Sequence, residues 1–114
     1  MHELGLAAAI LDRAEAAMRA HSRDRVRRVE VAVGELATVL PDNLAFCFAA
    51  LAADRPGLSG AHLDVTVRPL AVRCMDCGHE GRPERIETRC PRCGSRHVTI
   101  ASGQELEIVA LEVE

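Results

Sequence analysis

At 114 residues and a formal net charge of −3, the chain has room for one domain, or for a small domain carrying a still smaller one, and its 48% hydrophobic content can build a core for most of it. All 14 cationic residues are arginine and neither Trp nor Tyr occurs, so nothing in the bulk composition calls for nucleic acid. The amino terminus lacks the basic start of a secretion signal, and no run approaches the roughly 20 apolar residues of a membrane span, which predicts a cytoplasmic protein. Five cysteines is the wrong parity for a simple disulfide framework and suits a reducing compartment.

From Leu4 to about Ala20, apolar Leu4, Ala7, Ala8, Leu11, Ala14 and Met18 recur at three- and four-residue intervals, which predicts an amphipathic helix ended by His21-Ser22 and the charged run to Arg25. Val29, Val31 and Val33 alternate with Arg28, Glu30 and Ala32, the period of a half-buried strand closed by Gly34. Pro41 opens a second helix through Leu44, Phe48 and Leu51 to about Ala53, and Arg55-Pro56-Gly57 stops it. A second strand is expected at Leu63, Val65 and Val67. Beyond Pro69 the apolar parity shifts to Leu70 and Val72, which predicts a bulge or a change of sheet.

Cys74, Cys77, Cys90 and Cys93 then stand in the order Cys-x2-Cys-x12-Cys-x2-Cys, the spacing with which two tight turns present four thiolates to one tetrahedral ion. Each pair is followed by glycine, Gly78 and Gly94, able to take the left-handed conformation that turns amides toward sulfur. Four thiolates fill the tetrahedron, so a zinc ion here holds structure and offers no open position to a substrate. The stretch from Arg73 to Ile100 has too few large apolar side chains to fold alone, so the metal must supply roughly 10–16 kcal/mol of binding energy that doubles as folding energy. Iron in the same site, as in a rubredoxin-like electron carrier, fits the spacing but leaves the first half of the chain unexplained.

After Gly103 a last strand, Glu105 to about Val113, needs partners that the ribbon cannot supply. Returning it to the first sheet gives an α+β fold: a small mixed three-stranded sheet with two helices, and a zinc ribbon inserted between two strands. The expected domains are residues 1–72 with 104–114, and the ribbon at 73–103.

The amino terminus, Met1-His2-Glu3, is a second candidate metal site. Bulky His2 is expected to protect Met1 from removal, which keeps a free amine, the His2 amide and the His2 imidazole in adjacent chelate rings, with the Glu3 amide in reach as a fourth nitrogen. A nitrogen plane suits Ni(II) or Cu(II). The first amides of a helix have no intrahelical acceptor, so their loss as donors breaks no ladder. Against this, Glu3 also serves simply as a negative charge at the positive end of a helix.

Among other candidates, His79 and His97 lie close enough to the cysteine pairs to act as alternative or outer ligands of zinc, and His97 could instead join the nickel site. His21 and His62 read as solvated surface residues, Cys47 between Phe46 and Phe48 as core packing, and Glu35 as a loop charge in preference to a polar contact near the nickel site. Between Arg73 and Ile100 six arginines face Asp76, Glu80, Glu84 and Glu87, a surplus that a zinc tetrathiolate of charge about −2 cancels. That cancellation weakens a nucleic-acid reading of the ribbon; the alternative function is a zinc-ribbon adaptor or regulatory protein binding a protein or nucleic-acid partner. No nucleophile–base set and no phosphate loop of the Gly-x4-Gly-Lys type is present, so an enzyme is not expected.

Taken together, Met1-His2-Glu3 at a helix start, the strand ending Val33-Gly34-Glu35 and the cysteine pairs closing on Cys90-Pro91-x-Cys93-Gly94 resemble the HypA/HybF family of hydrogenase maturation nickel metallochaperones over essentially the whole chain. The resemblance implies Ni(II) uptake at the amino terminus and delivery toward the large subunit of a [NiFe]-hydrogenase, with the GTPase HypB as partner. It implies His2 as the essential nickel ligand, Met1 and Glu3 as backbone nitrogen donors, and Cys74, Cys77, Cys90 and Cys93 as zinc ligands.

Overall fold

The computed structural model describes residues 3–82, 89–103 and 106–114. In chain order it contains helix α1 (Glu3–Ala20), strand β1 (Val26–Gly34), a single 3-10 turn (Glu35–Ala37), helix α2 (Pro41–Ala52), and strands β2 (His62–Arg68), β3 (Ala71–Cys74), β4 (Glu80–Gly81), β5 (Val98–Ser102) and β6 (Leu106–Val113). The strands form two three-stranded sheets, ordered β2-β1-β6 and β4-β3-β5, and the fold is α+β. The chain divides into two compact units: an α/β unit of Met1–Ala32, Val39–Thr66 and Glu107–Glu114, and a ribbon unit of Val33–Thr38 and Val67–Leu106. Among the described residues no helix is long and apolar enough to cross a membrane.

In the α/β unit, α1 buries Leu6, Ala7, Ile10, Leu11, Ala14 and Met18 against α2, which contributes Leu44, Phe48 and Ala52. The stripe on α1 is centred between the Ala7–Leu11–Ala14–Met18 row and the Leu6–Ile10 row. Leu4, expected on the buried face, therefore lies on its flank and is 55% exposed. Pro41 occupies the first turn of α2, where its missing N–H costs no hydrogen bond.

Strand β1 follows the predicted alternation only to Val31; Val31, Ala32, Val33 and Gly34 are all buried. A central strand covered on both faces reads as a continuous small-apolar run, and Ala32 is apolar enough to belong to it. The last strand does return to β1: just beyond their ends, Arg25 N–H donates to Glu114 O at 3.2 Å and Glu114 N–H to Arg25 O at 2.8 Å, the reciprocal pair of an antiparallel ladder. Of the expected start of that strand, Glu105 lies outside the described residues.

The ribbon unit explains the parity shift after Pro69. Strand β2 ends at Arg68, and β3, in the other sheet, begins at Ala71 with a register irregularity between Ala71 and Val72. β3 pairs antiparallel with β4 (Val72 opposite Gly81, Arg73 opposite Glu80) and with β5 (Arg73 opposite Thr99, Cys74 opposite Val98). Leu70 and Val72 are its buried apolar residues beside the cysteines.

Candidate metal centre

Strand β3 runs directly into the first cysteine pair, and the two pairs repeat one local geometry. Gly78 N–H donates to Cys74 O at 3.1 Å with Gly78 at φ +76°, and Gly94 N–H donates to Cys90 O at 2.9 Å with Gly94 at φ +74°. These left-handed glycines close each turn so that the amides of Asp76 and Cys77 reach Cys74 Sγ, and those of Arg92 and Cys93 reach Cys90 Sγ, all at 3.4 Å. All four sulfurs lie within 4.8 Å of one another, with Cys74 to Cys93 and Cys77 to Cys90 at 3.6 Å. A tetrahedron built on a Zn–S bond of about 2.3 Å has edges of about 3.8 Å, so the donor set fits such an ion.

Electrostatics divides the sulfurs by position in the turn. Amide donation from Cys77 and Asp76 holds the Cys74 thiol below its usual range despite burial. Burial disfavours the Cys90 thiolate too, but the amides of Cys93 and Arg92 and the neighbouring sulfurs outweigh it and bring that group to about 6. Cys77 receives an amide contact from His79 that favours its thiolate, yet burial and the sulfurs of Cys90 and Cys74 push it up. Cys93, contacted by the Ser95 amide, is pushed up to about 12 by burial and the three surrounding sulfurs. Two sulfurs, those of Cys74 and Cys90, are thus shifted toward the thiolate and two, those of Cys77 and Cys93, toward the thiol. A divalent cation would favour all four as thiolates, releasing whatever protons they carry.

Neither histidine beside the pairs belongs to this cluster of mutually close donors. His97 instead directs Nδ1 to Asp76 Oδ2 at 3.2 Å, and the Ser95 hydroxyl donates to the same carboxylate oxygen, which holds the Asp76 carboxyl below the usual range. The His97 amide donates to Ser95 Oγ at 3.0 Å and its carbonyl accepts from Met75 N–H at 2.7 Å, so this bracket ties one turn to the other. His79 stacks its ring over Gly81, with Nε2 2.9 Å from where a Cβ would stand, and its carbonyl accepts from Cys74 N–H at 2.8 Å.

At the amino terminus, Met1 and His2 lie outside the described residues. Glu3 is the first residue of α1, and its carboxylate accepts from Leu40 N–H at 3.3 Å, at the start of α2. It thereby satisfies the backbone amide of Leu40, the N-cap of α2, as the carboxylate of a capping box does, and places a negative charge at that helix start. Glu3, Leu4, Asn43, Phe46 and Cys47 line a shallow cavity of about 280 Å³. Cys47 is half-buried and packs against the core, while neighbouring Phe46 is 75% exposed.

Glu35 is more than a loop charge. Its carboxylate accepts from Leu70 N–H at 3.1 Å and from Arg82 Nη2 at 2.8 Å, fastening the 3-10 turn to the ribbon strands. Both partners are distant in sequence, so no local pattern around Val33-Gly34-Glu35 could reveal them.

Three comparisons bear on this geometry. A family profile described as "Hydrogenase/urease nickel incorporation, metallochaperone, hypA" matches residues 1–113. The Streptomyces avermitilis hydrogenase maturation factor HypA is 43% identical over 118 residues, covering 100% of this chain and 88% of the relative, and the Chlorobium luteolum factor of the same name is 38% identical over 115, covering 100% and 97%. The solution structure of the Ni metallochaperone HypA from Helicobacter pylori superposes with a TM-score of 0.73 at 24% identity, over 99% of this chain and 97% of that one, and shows the same fold. A profile match across the whole chain, relatives of this identity and the shared fold converge on one conclusion: the chain belongs to the HypA family of nickel-incorporation metallochaperones in hydrogenase maturation, carriers of metal rather than enzymes.

Proposed function

We propose that this protein takes up Ni(II) at its amino terminus and passes it to the large-subunit precursor of a [NiFe]-hydrogenase in the cytoplasm, with the GTPase HypB as partner and a structural Zn(II) held by Cys74, Cys77, Cys90 and Cys93. The nickel ligands are the Met1 amine, the His2 amide nitrogen and imidazole, and the Glu3 amide nitrogen. In this reading nickel binding is assigned to residues 1–72 with 104–114 and zinc binding to residues 73–103, a functional division that need not coincide with the two compact units.

The observation that carries this reading is the start of α1 at Glu3 in a chain whose whole length matches the family. The Glu3 amide is one of the first four of a helix and has no intrahelical acceptor, so it can be surrendered to a metal without breaking the ladder. Its carboxylate meanwhile accepts from Leu40 N–H. Nitrogens at a helix terminus can be withdrawn one at a time by a competing site, which suits delivery; a closed cage would trap the ion. The cysteine cluster supports the opposite role for zinc, since four enclosing sulfurs leave no position for exchange.

The test is a Ni(II) titration by calorimetry and visible absorption on zinc-loaded protein beginning at Met1, beside His2→Ala and a form extended by two residues. One nickel site lost in both, with zinc retained, is expected. Its affinity should fall as pH drops from about 7.5 to 6, because an amine of pKa about 7.7–8.0 and an imidazole of about 6.5 must lose protons to bind. Equal binding in all three proteins would move nickel away from the terminus, and no binding at all would favour a zinc-ribbon adaptor.

A further inference from the structure

The α/β unit carries a concavity of about 520 Å³ where β1 and β2 begin and β6 ends. Arg25, Arg27 and Arg28 line it from the start of β1 and His62 from the start of β2, with Glu112 and Glu114 on the β6 side. Three arginines and a histidine from adjacent strands thus share the lining of one small volume with two glutamates.

The arginines are unevenly committed. Arg27 pairs with Glu114 at 3.1 Å, with both side chains more than half exposed, the kind of contact that solvent weakens and a competing anion can displace. Arg28 engages Glu30 and, at 3.1 Å, Asp64, in both cases through its terminal nitrogens. Its Nε is buried without a hydrogen-bond partner, alone in this among the buried side-chain nitrogens and oxygens of the described residues. Arg25 has no carboxylate partner among the described residues. Its Nη2 lies beside Gly60, 3.5 Å from where a Cβ would stand, on the wall of the same concavity. Arg25 is therefore the guanidinium of this concavity whose fork has no carboxylate acceptor, and such a fork is a site for a multi-oxygen anion.

We propose that this concavity binds the phosphate group of a small molecule, either free phosphate or pyrophosphate or the phosphate chain of a nucleotide, with Arg25, Arg27 and His62 as donors. Its volume falls in the range of about 300–1,000 Å³ typical of small-molecule sites. The Arg25 fork matches two oxygens of one phosphoryl group, each able to receive a charge-assisted hydrogen bond, and Arg27 joins it once the anion displaces Glu114. An acidic peptide would need an extended cationic track, and Glu112 and Glu114 interrupt any such track across the strands. The proposal does not depend on nickel binding, since none of these residues belongs to the amino-terminal site.

The experiment follows amide shifts of isotope-labelled, zinc-loaded protein during titration with pyrophosphate, then with a nucleoside diphosphate, then with hexaglutamate. Saturable shifts confined to 25–28, 60–62 and 112–114 are expected with pyrophosphate. Shifts there with the nucleotide as well would identify a nucleotide phosphate as the source, and shifts with pyrophosphate alone a free one. Arg25→Ala combined with Arg27→Ala should weaken binding by about tenfold or more, while Arg13→Ala, on α1, should leave it unchanged. Mapping on the unaltered protein keeps the test sound if the double variant loses its fold. Shifts spread over all arginines, equal affinity in the double variant, or tighter binding of hexaglutamate than of pyrophosphate would each overturn the proposal.

Discussion

In the α/β unit, side chains from α1, α2, β1 and the turn after α2 form a continuous cluster with Leu11, Leu44, Phe48 and Leu58 at its centre, all essentially inaccessible to water. The ribbon unit buries Val33, Leu70 and Val72 and then reaches the sulfurs of Cys74 and Cys90. One unit is held by apolar area and the other by a metal-binding cluster with little apolar area around it. Small pieces of chain that cannot bury enough surface need such a staple. On the proposed function a carrier would gain from this division, with one ion fixed in the ribbon unit and the transported one bound elsewhere.

Metal removal is the strongest way to break the comparison. Stripping the metal withdraws roughly 10–16 kcal/mol of coupled binding and folding energy from the ribbon unit, and Cys90→Ser withdraws a part of it. Amide resonances of 71–102 should collapse toward random-coil positions while the helical circular dichroism from α1 and α2 persists. Simultaneous loss of both signals would show that the α/β core does not stand on its own. Metal analysis of the purified protein should give zinc, and a coloured iron form would contradict the structural-zinc assignment.

The reciprocal perturbation is Phe48→Ala. Phe48 is 1% exposed at the centre of the core, and removing its ring leaves a cavity whose cost is about 3–5 kcal/mol. Thermal unfolding of the helices should shift down accordingly, while zinc content stays at one ion per chain. A Phe48→Ala protein that unfolds as before would mean that the helices owe their stability to something other than this core.

Local patterns announced most of the α/β unit: apolar residues at helical spacing on α1, alternating valines on β1, and Pro41 at the start of α2. The cysteine cluster was equally legible, because four residues at fixed spacing carry their own geometry. Less visible was anything set by contacts between distant segments. The rotation of α1 that exposes Leu4 depends on what α2 presents, and the burial of Ala32 on what covers β1. Gly103 marked a strand start in the sequence, but its need is steric: at φ +105° a Cβ would lie 2.6 Å from Leu70 Cα. The Asp76–Ser95–His97 bracket and the grouping of Arg25, Arg27 and Arg28 with His62 likewise required three dimensions.

Glu35 gives the finest test of how the ribbon unit is held besides its metal. Arg82 donates to its carboxylate, and Leu70 N–H donates as well; together they outweigh desolvation and hold its pKa below the ordinary carboxylate value. A carboxyl whose pKa is depressed on folding adds stability above its unfolded pKa of about 4.3, and that contribution fades as pH falls through the lowered folded value. Glu35→Gln keeps an oxygen for Leu70 N–H but removes the charge facing Arg82. It should therefore lower ribbon stability slightly at pH 7, with a deficit that shrinks in acid and in high salt, because Arg82 is well exposed. Glu35→Ala removes both contacts and should in addition raise the exchange rate of the Leu70 amide. Comparing each variant with the parent at the same pH cancels the acid sensitivity of the thiolates, which all three share. A Gln deficit that stays constant from pH 7 into acid would mean that the carboxylate holds the turn through its shape alone, with no electrostatic part.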